Sequence, residues 1–325
     1  MIQVIRIKNI PLPLDSEPAQ LPRKAARLLG IKPEAITEWT IARQSIDARK
    51  KANVHYVCTI DITTPNEAAL ARRAKSPLVS LYEPQPYKFP PVRRKSSLPP
   101  VVVGMGPAGL FAALFLARNG LAPIILERGR PVEERTADVN QFWTTGTLKP
   151  NSNVQFGEGG AGTFSDGKLT TGTHNPRIST VLKTLAAAGA PADICWQHKP
   201  HIGTDILQQA VRNIRDELRS LGCDIRFEHQ LTGLRIRDSR LEGLQITGPQ
   251  GSYDLPCDAL ILAPGHSARD TFQMLLSAGV PMEAKPFAIG VRIEHPQALI
   301  SQAQFGPAWE KLPAADYKLA CHLPN

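Results

Sequence analysis

The chain has 325 residues, 42% of them hydrophobic and 21% charged, an ordinary globular composition with length for two or three domains. Its longest apolar run, LFAALFLA near residue 110, falls well short of the roughly 20 residues that span a bilayer. The opening MIQVIRIKNI alternates apolar and polar residues and lacks the apolar core of a secretory signal, so a cytoplasmic protein without a membrane span is expected.

The formal charge is +9, and all of the excess lies in residues 1–100, which hold 17 Lys and Arg against 8 Asp and Glu; the rest of the chain balances at 21 of each. Such a segment could attract nucleic acid, anionic lipid or an acidic partner, or be only a solvated basic face. The five cysteines, Cys58, Cys195, Cys223, Cys257 and Cys321, are scattered, with no CxxC pair and no Cys/His ligand spacing. Reduced thiols are expected, with no metal site and no disulfide framework.

Residues 1–81 read as a small α/β module. Ile2, Val4 and Ile7 begin a strand. Leu21, Ala25, Leu28 and Leu29 fall on one helical face, and Gly30 is placed to end that helix. Ile36–Ile46 and Val54–Asp61 read as two strands, the second alternating Val54, Tyr56, Cys58 and Ile60 with more polar residues. Thr64, Pro65 and Glu67 spell a helix start, with Thr64 as cap and Glu67 closing a capping box. A last strand fits Leu78–Tyr82. The order β-α-β-β-α-β is that of a ferredoxin-like module. Arg43–Lys51 reads as a basic hairpin tip that could hold an anion or serve solubility alone. Residues 82–100 carry six prolines and four basic residues and read as an exposed, semi-rigid linker.

A Rossmann-like domain is expected over 101–272. Val101-Val102-Val103 is wholly apolar, as a parallel strand buried on both faces should be. Gly104-Met105-Gly106-Pro107-Ala108-Gly109 follows at once: Gly104 for the tight turn, Gly106 for approach of a pyrophosphate, Gly109 for close packing of helix on strand. The helix runs through Leu110–Asn119, and its N-terminus favours phosphate charge. A second strand, Pro123–Leu126, leads to Glu127, which lies 18 residues past Gly109, near the offset of a ribose-binding carboxylate. Dinucleotide binding follows from this context rather than from the glycines alone, and Glu127 disfavours the 2′-phosphate of NADP.

Residues 155–169, QFGEGGAGTFSDGKL, form a glycine-rich loop whose amides can approach a ligand. This favours FAD over NAD, with Gly160, Gly162 and Thr163 as candidate contacts. Lys168 is placed either to stabilise a reduced flavin or to pair with Asp166 or Glu158. Thr204–Leu221 reads as an amphipathic helix, Asp224–Glu228 as a strand, and Leu231–Arg237 with Gly243–Ile246 as a meander closed by a turn at Pro249–Ser252. An apolar strand from Cys257 ends in Ala263-Pro264-Gly265-His266, so backbone can approach a ligand at Ala263 and Gly265. His174, His198, His201 and His266 are candidates for proton transfer, with His266 the best placed. No catalytic constellation is assignable.

The fingerprint, Glu127-Arg128, the helix–strand unit before the meander and the Ala-Pro-Gly turn resemble two-dinucleotide-binding-domain flavoproteins of the glutathione reductase type. Residues 45–50 (SIDARK), 159–169 (GGAGTFSDGKL) and 263–269 (APGHSAR) resemble a family of bacterial FAD-dependent dehydrogenases over essentially the whole chain. The resemblance implies an α/β protein: a ferredoxin-like module, a Rossmann-like FAD domain and, over 273–325, the start of a substrate domain that is incomplete because the chain reads as shortened at its C-terminus. It adds Arg128 to the expected FAD contacts. It implies hydride transfer through bound flavin, with NAD(P)H as a transient donor and a small molecule or redox protein as partner. Two alternatives stand beside it: a flavin-dependent enzyme that modifies RNA or a protein that binds it, guided by the basic module, and a non-catalytic dinucleotide-binding protein.

Overall fold

In the computed structural model, which describes residues 3–164, 167–286, 290–291 and 293–317, the chain divides into two units: residues 1–86 with 195–198 and 286–325, and residues 87–194 with 199–285. Ile2, Asp166 and Cys321, used in the sequence reading, lie outside the described residues. Among those that are described, no helix is long and apolar enough to cross a membrane.

The N-terminal unit is built on alternation. In β1 (Val4–Pro13), Ile5, Ile7, Ile10 and Leu12 are buried, as are Cys58, Ile60 and Ile62 of the central strand. The elements follow as α1 (Gln20–Leu29), β2 (Glu38–Asp47), β3 (His55–Thr63), α2 (Glu67–Arg73) and β4 (Val79–Tyr82). The sheet order is β2-β3-β1-β4, antiparallel throughout, the order of a split β-α-β unit. Leu21, Ala25 and Leu29 pack on this core with Leu70 and Ala71. Three local expectations are corrected. Leu28 is exposed, because the apolar stripe runs through Ala26 instead. Thr64 does not cap α2: Asn66 holds the cap position at φ 65°, and only half of the capping box forms, with the Thr64 amide donating to Glu67 Oε1 at 3.3 Å. Arg43–Asp47 belongs to β2, so the basic segment is largely strand rather than hairpin tip.

The second unit opens in the proline-rich stretch. The Phe89 ring lies 4.2 Å from that of Phe115, so this part of the expected linker is anchored rather than free. Then come β5 (Val101–Val103), α3 (Pro107–Arg118), β6 (Ile124–Glu127), α4 (Val132–Thr145), α5 (Arg177–Ala187), α6 (Thr204–Ser220) and β7 (Asp224–Phe227). The meander strands β8 (Gln230–Arg237), β9 (Arg240–Gly248) and β10 (Gly251–Pro256) form a separate antiparallel sheet. β10 adds a third strand beyond the two expected of the meander. β11 (Leu260–Leu262) and α7 (Arg269–Ser277) complete this unit, and α8 (Gln297–Phe305) belongs to the first one. The unit boundary thus falls at residue 286, not at 273.

The parallel sheet runs β11-β5-β6-β7. Val101, Val103, Ile124 and Leu126 pack with Leu231, Leu244, Ile246 and Leu255 of the meander. The chain therefore proceeds from β5 outward through β6 and β7, then returns to the other side of β5. That reversal is a topological switch point, and ligands of open α/β sheets bind there, outside the carboxyl ends of the strands.

Two glycines are required at this end. A Cβ on Gly104, whose φ is 94°, would lie 2.1 Å from the Ala263 carbonyl oxygen; one on Gly109 would lie 1.8 Å from that of Gly104. Gly109→Ala therefore forces α3 away from the turn. The unfolding free energy from urea titration should fall by about 1–3 kcal/mol.

Candidate functional site

A cavity of about 350 Å³ opens at the switch point. Gly104, Gly106, Pro107 and Ala108 line it from the turn after β5, Glu127 and Arg128 from the end of β6, and Gly160 and Gly162 from the glycine loop; Ala263, Gly265 and His266 line it from the turn after β11. Ten of the fourteen expected cofactor contacts thus meet at one place. Phe156, Leu126, Leu231 and His229 add apolar and aromatic wall. His229, at the β7–β8 turn, is a lining residue the sequence did not single out; its Nδ1 lies 2.7 Å from the Phe227 carbonyl oxygen.

The remaining four do not line it. Met105 is buried beneath the turn, and its amide donates to Glu127. Gly109 lies under Gly104. Thr163 is fully buried and turned into its own loop, toward Gly159. Lys168 is exposed and its backbone forms an isolated bridge with His201. Of the other candidate histidines, His174 is exposed, and His198 lies 2.9 Å from Arg43 in the N-terminal unit.

Glu127 is buried, and its carboxylate gathers three separate turns. Oε2 accepts from the Met105 amide at 2.7 Å; Oε1 accepts from Gly129 at 2.8 Å and Gly157 at 3.1 Å. A carboxylate offers about four acceptor positions, so capacity is left for one hydroxyl donor from the cavity it lines. Arg128, beside it, is held by both oxygens of Asp270 at 2.8 and 3.0 Å and lies over the Phe156 ring.

The glycine loop is held from the other side by Arg135, a residue sequence reasoning missed. Its side chain is fully buried. Nε donates to the Asn153 carbonyl, Nη2 to Val154, and Nη1 to Gly157, Glu158 and Gly160, at 2.6–3.3 Å. Burial lowers its pKa to about 10, with Glu127 and Glu158 opposing that shift, so it stays charged at neutral pH. The signal was present in the spacing: Val132, Arg135 and Val139 are buried together on one face of α4.

Glu158, also fully buried, caps this helix. Its Oε2 accepts from the Val132 amide and from Arg215 Nη1, each at 2.7 Å, while its Oε1 has no hydrogen-bond partner. Burial pushes its carboxyl up to about 7, against the pull of the Val132 amide and Arg215. Arg215 also binds both oxygens of Glu133, whose carboxyl it holds down at about 2.

α3 starts at Gly106 with no side-chain cap. Its first residue is Pro107, which has no amide to satisfy, and the amides of the first turn that follow have no intrahelical acceptor. An anion in the cavity meets both those amides and the helix dipole. Phosphate at α3, a hydroxyl on Glu127 and an apolar ring against Leu126, Phe156 or Leu231 together describe the adenosine diphosphate part of a dinucleotide. The volume is near the low end for small-molecule sites, about 300–1,000 Å³.

Comparison with known proteins bears on the same question. Residues 286–325 match the family model described as FAD-dependent protein, C-terminal domain-like. That stretch of the chain is thus similar to part of an FAD-dependent family. Residues 1–63 match a domain of unknown function, DUF8436. A protein of Clostridium beijerinckii described only as uncharacterized is 45% identical over 318 residues, which is 97% of this chain and 59% of that protein; the chain spans about three-fifths of the length of this curated relative. Among solved structures, Thermovibrio ammonificans THI4 is similar at 17% identity and TM-score 0.37, over 56% of this chain and 63% of that one. The flavin-dependent monooxygenase PieE, in complex with FAD and substrate, is similar at 17% and 0.34, over 56% and 32%. Likenesses this weak decide nothing about fold or function.

Two outcomes are expected of the loop's charged anchors. Arg135→Gln strands buried carbonyls and should cost on the order of 3–5 kcal/mol in unfolding free energy; Arg135→Lys should recover little of it, because an ammonium cannot reproduce the planar fork. For Glu158 the raised carboxyl favours the folded state while protonated. Its contribution is full below pH 4.5, its ordinary value, and is lost as pH rises through about 7, a total of roughly 3 kcal/mol. Denaturation of Glu158→Gln and wild type side by side should show the variant gaining on wild type between about pH 5 and pH 8.

Proposed function

We propose that the chain holds FAD in the switch-point cavity and works as part of a flavin-dependent oxidoreductase, a dehydrogenase that passes hydride through the bound flavin with NAD(P)H as a transient donor. The observation that carries this is the convergence of an uncapped helix N-terminus and a buried carboxylate with spare acceptor capacity on one cavity. Bound flavin supplies two-electron transfer. The chain's own residues bind and orient it. The α3 amides receive phosphate charge, Glu127 accepts a ribose hydroxyl, and the loop anchored by Arg135 brings Gly160 and Gly162 to the cavity wall. His266 stands at the lining beside His229 and is the candidate for proton transfer. The small-molecule or redox-protein substrate and a reducing, cytoplasmic setting are part of the same reading.

The test uses a variant that the fold should tolerate. Gly106 has φ −73°, and a Cβ there would meet only the Gly160 Cα at 3.6 Å, an ordinary contact. Gly106→Ala should therefore leave the unfolding free energy within about 0.5 kcal/mol of wild type while filling the approach to the helix amides. Purified wild type should be yellow and release FAD identified by mass. Titration of the stripped proteins should show the variant at least tenfold weaker. Colourless wild type that retains only a nicotinamide nucleotide, or equal FAD affinity of the two proteins, would sink the reading.

A further inference from the structure

In the N-terminal unit α1 and α2 make their core contacts on one face of the sheet, through Leu21, Ala25, Leu29, Leu70 and Ala71. The other face is shaped by two β-bulges that fall at the same rung. On one side of β3, Lys8 and Asn9 together stand against Thr59 alone, between the pairs Ile7–Ile60 and Ile10–Cys58; on the other, Ala42 is inserted between Ile41–Ile60 and Arg43–Thr59. Both irregularities stand opposite Thr59. Asn9 is held at φ 57°, a strained conformation for a residue with a side chain. Two bulges at one rung leave a depression in what would otherwise be a smooth pleated surface. The cavity there has a volume of about 510 Å³, and its lining includes Lys8, Asn9 and Arg43 together with Arg6, Ser45 and Thr59. Bulges recur beside functional sites because they re-aim side chains, and backbone strain tends to be kept where it serves a site.

The charge of this depression is unbalanced. Arg6 is neutralised by Asp61 through two bonds of 2.7 Å and lies over the Tyr82 ring at 3.3 Å. Among the described residues Lys8 has no ion-pair partner, and Arg43 meets no carboxylate but lies 2.9 Å from the His198 ring nitrogen. Lys8, Asn9 and Thr59 thus face one hollow with no side-chain hydrogen bond among the described residues, and Arg43, which gives one nitrogen to His198, keeps its other donors for the same hollow.

We propose that this hollow binds the phosphate group of a small phosphorylated molecule, at a site separate from that for FAD. An ammonium and a guanidinium supply charge-assisted donors to several phosphate oxygens at once, and the volume is that of a small-molecule site. A single-stranded RNA fits less well. Sheet surfaces that bind RNA stack its bases on exposed aromatic rings, and this lining has none, the Tyr82 ring being covered by Arg6.

Calorimetric titration of the full FAD-loaded chain with pyrophosphate, in phosphate-free buffer, tests this. One pyrophosphate should bind per chain without displacing flavin, as read from the visible spectrum. Lys8→Gln/Arg43→Gln should weaken it at least tenfold, and Lys8→Arg/Arg43→Lys should stay within threefold of wild type. If the purified chain carries no FAD, the same pair of variants still separates this hollow from the α3 cradle, since neither residue lines the cradle. Equal binding by wild type and the Gln variant overturns the proposal. So does the absence of binding at millimolar pyrophosphate, and so does steeply salt-dependent binding of a twelve-residue oligouridylate in place of stoichiometric pyrophosphate.

Discussion

The candidate site depends on one pair of buried charges working on one stretch of backbone. Residues 153–160 have no helix or strand to satisfy their polar groups. Glu127 takes amides from Gly157 and from the two turns beside it, and Arg135 takes five carbonyls from the same stretch. Unpaired backbone groups in a dry interior each cost about as much as a lost hydrogen bond, so without these two side chains the loop could not stay where it is. Glu127 also helps to keep Arg135 charged, opposing the lowering of its pKa by burial.

The parallel sheet determines where this arrangement sits. β5, β6 and β11 all end at the same edge, and the loops leaving them are the fingerprint turn, the Glu127 turn and the Ala-Pro-Gly turn. The ladder continues past the strands, with the Gly104 amide donating to Leu126 and the Ala263 amide to Val103. Loops that start from a hydrogen-bonded edge inherit its rigidity, and a cavity made of such loops is preformed.

What could be read from sequence follows from this construction. Val101–Val103, the glycine spacing and Glu127 are legible because each obeys a local rule: an apolar strand, a turn without room for side chains, an acid at a fixed distance. α1, α6 and the alternation of β1 and β3 are legible for similar reasons of period. Arg135, Glu158 and Arg215 are not, because each is defined by partners 18 to 82 residues away. The cap of α2 was misassigned because Thr64 and Asn66 both suit a helix start, and the left-handed turn at Asn66 decides between them only in three dimensions. β10 escaped notice because it packs a single buried apolar residue, Leu255, so its polar sequence looks like loop.

The glycine loop places its backbone and its side chains differently. Its glycines allow close approach, and Gly160 and Gly162 do reach the cavity wall. The reading of Thr163 and Lys168 as ligand contacts assumed that their side chains follow the same direction. Yet a segment so rich in glycine has few side chains to bury, and apolar packing cannot hold it. It is held instead by charge, and by the few side chains it owns turning inward. Glu158 turns toward α4 and Arg215, and Thr163 turns toward Gly159. What this loop leaves for a ligand is then the backbone of Gly157, Gly160 and Gly162 beside the side chains of Gln155 and Phe156.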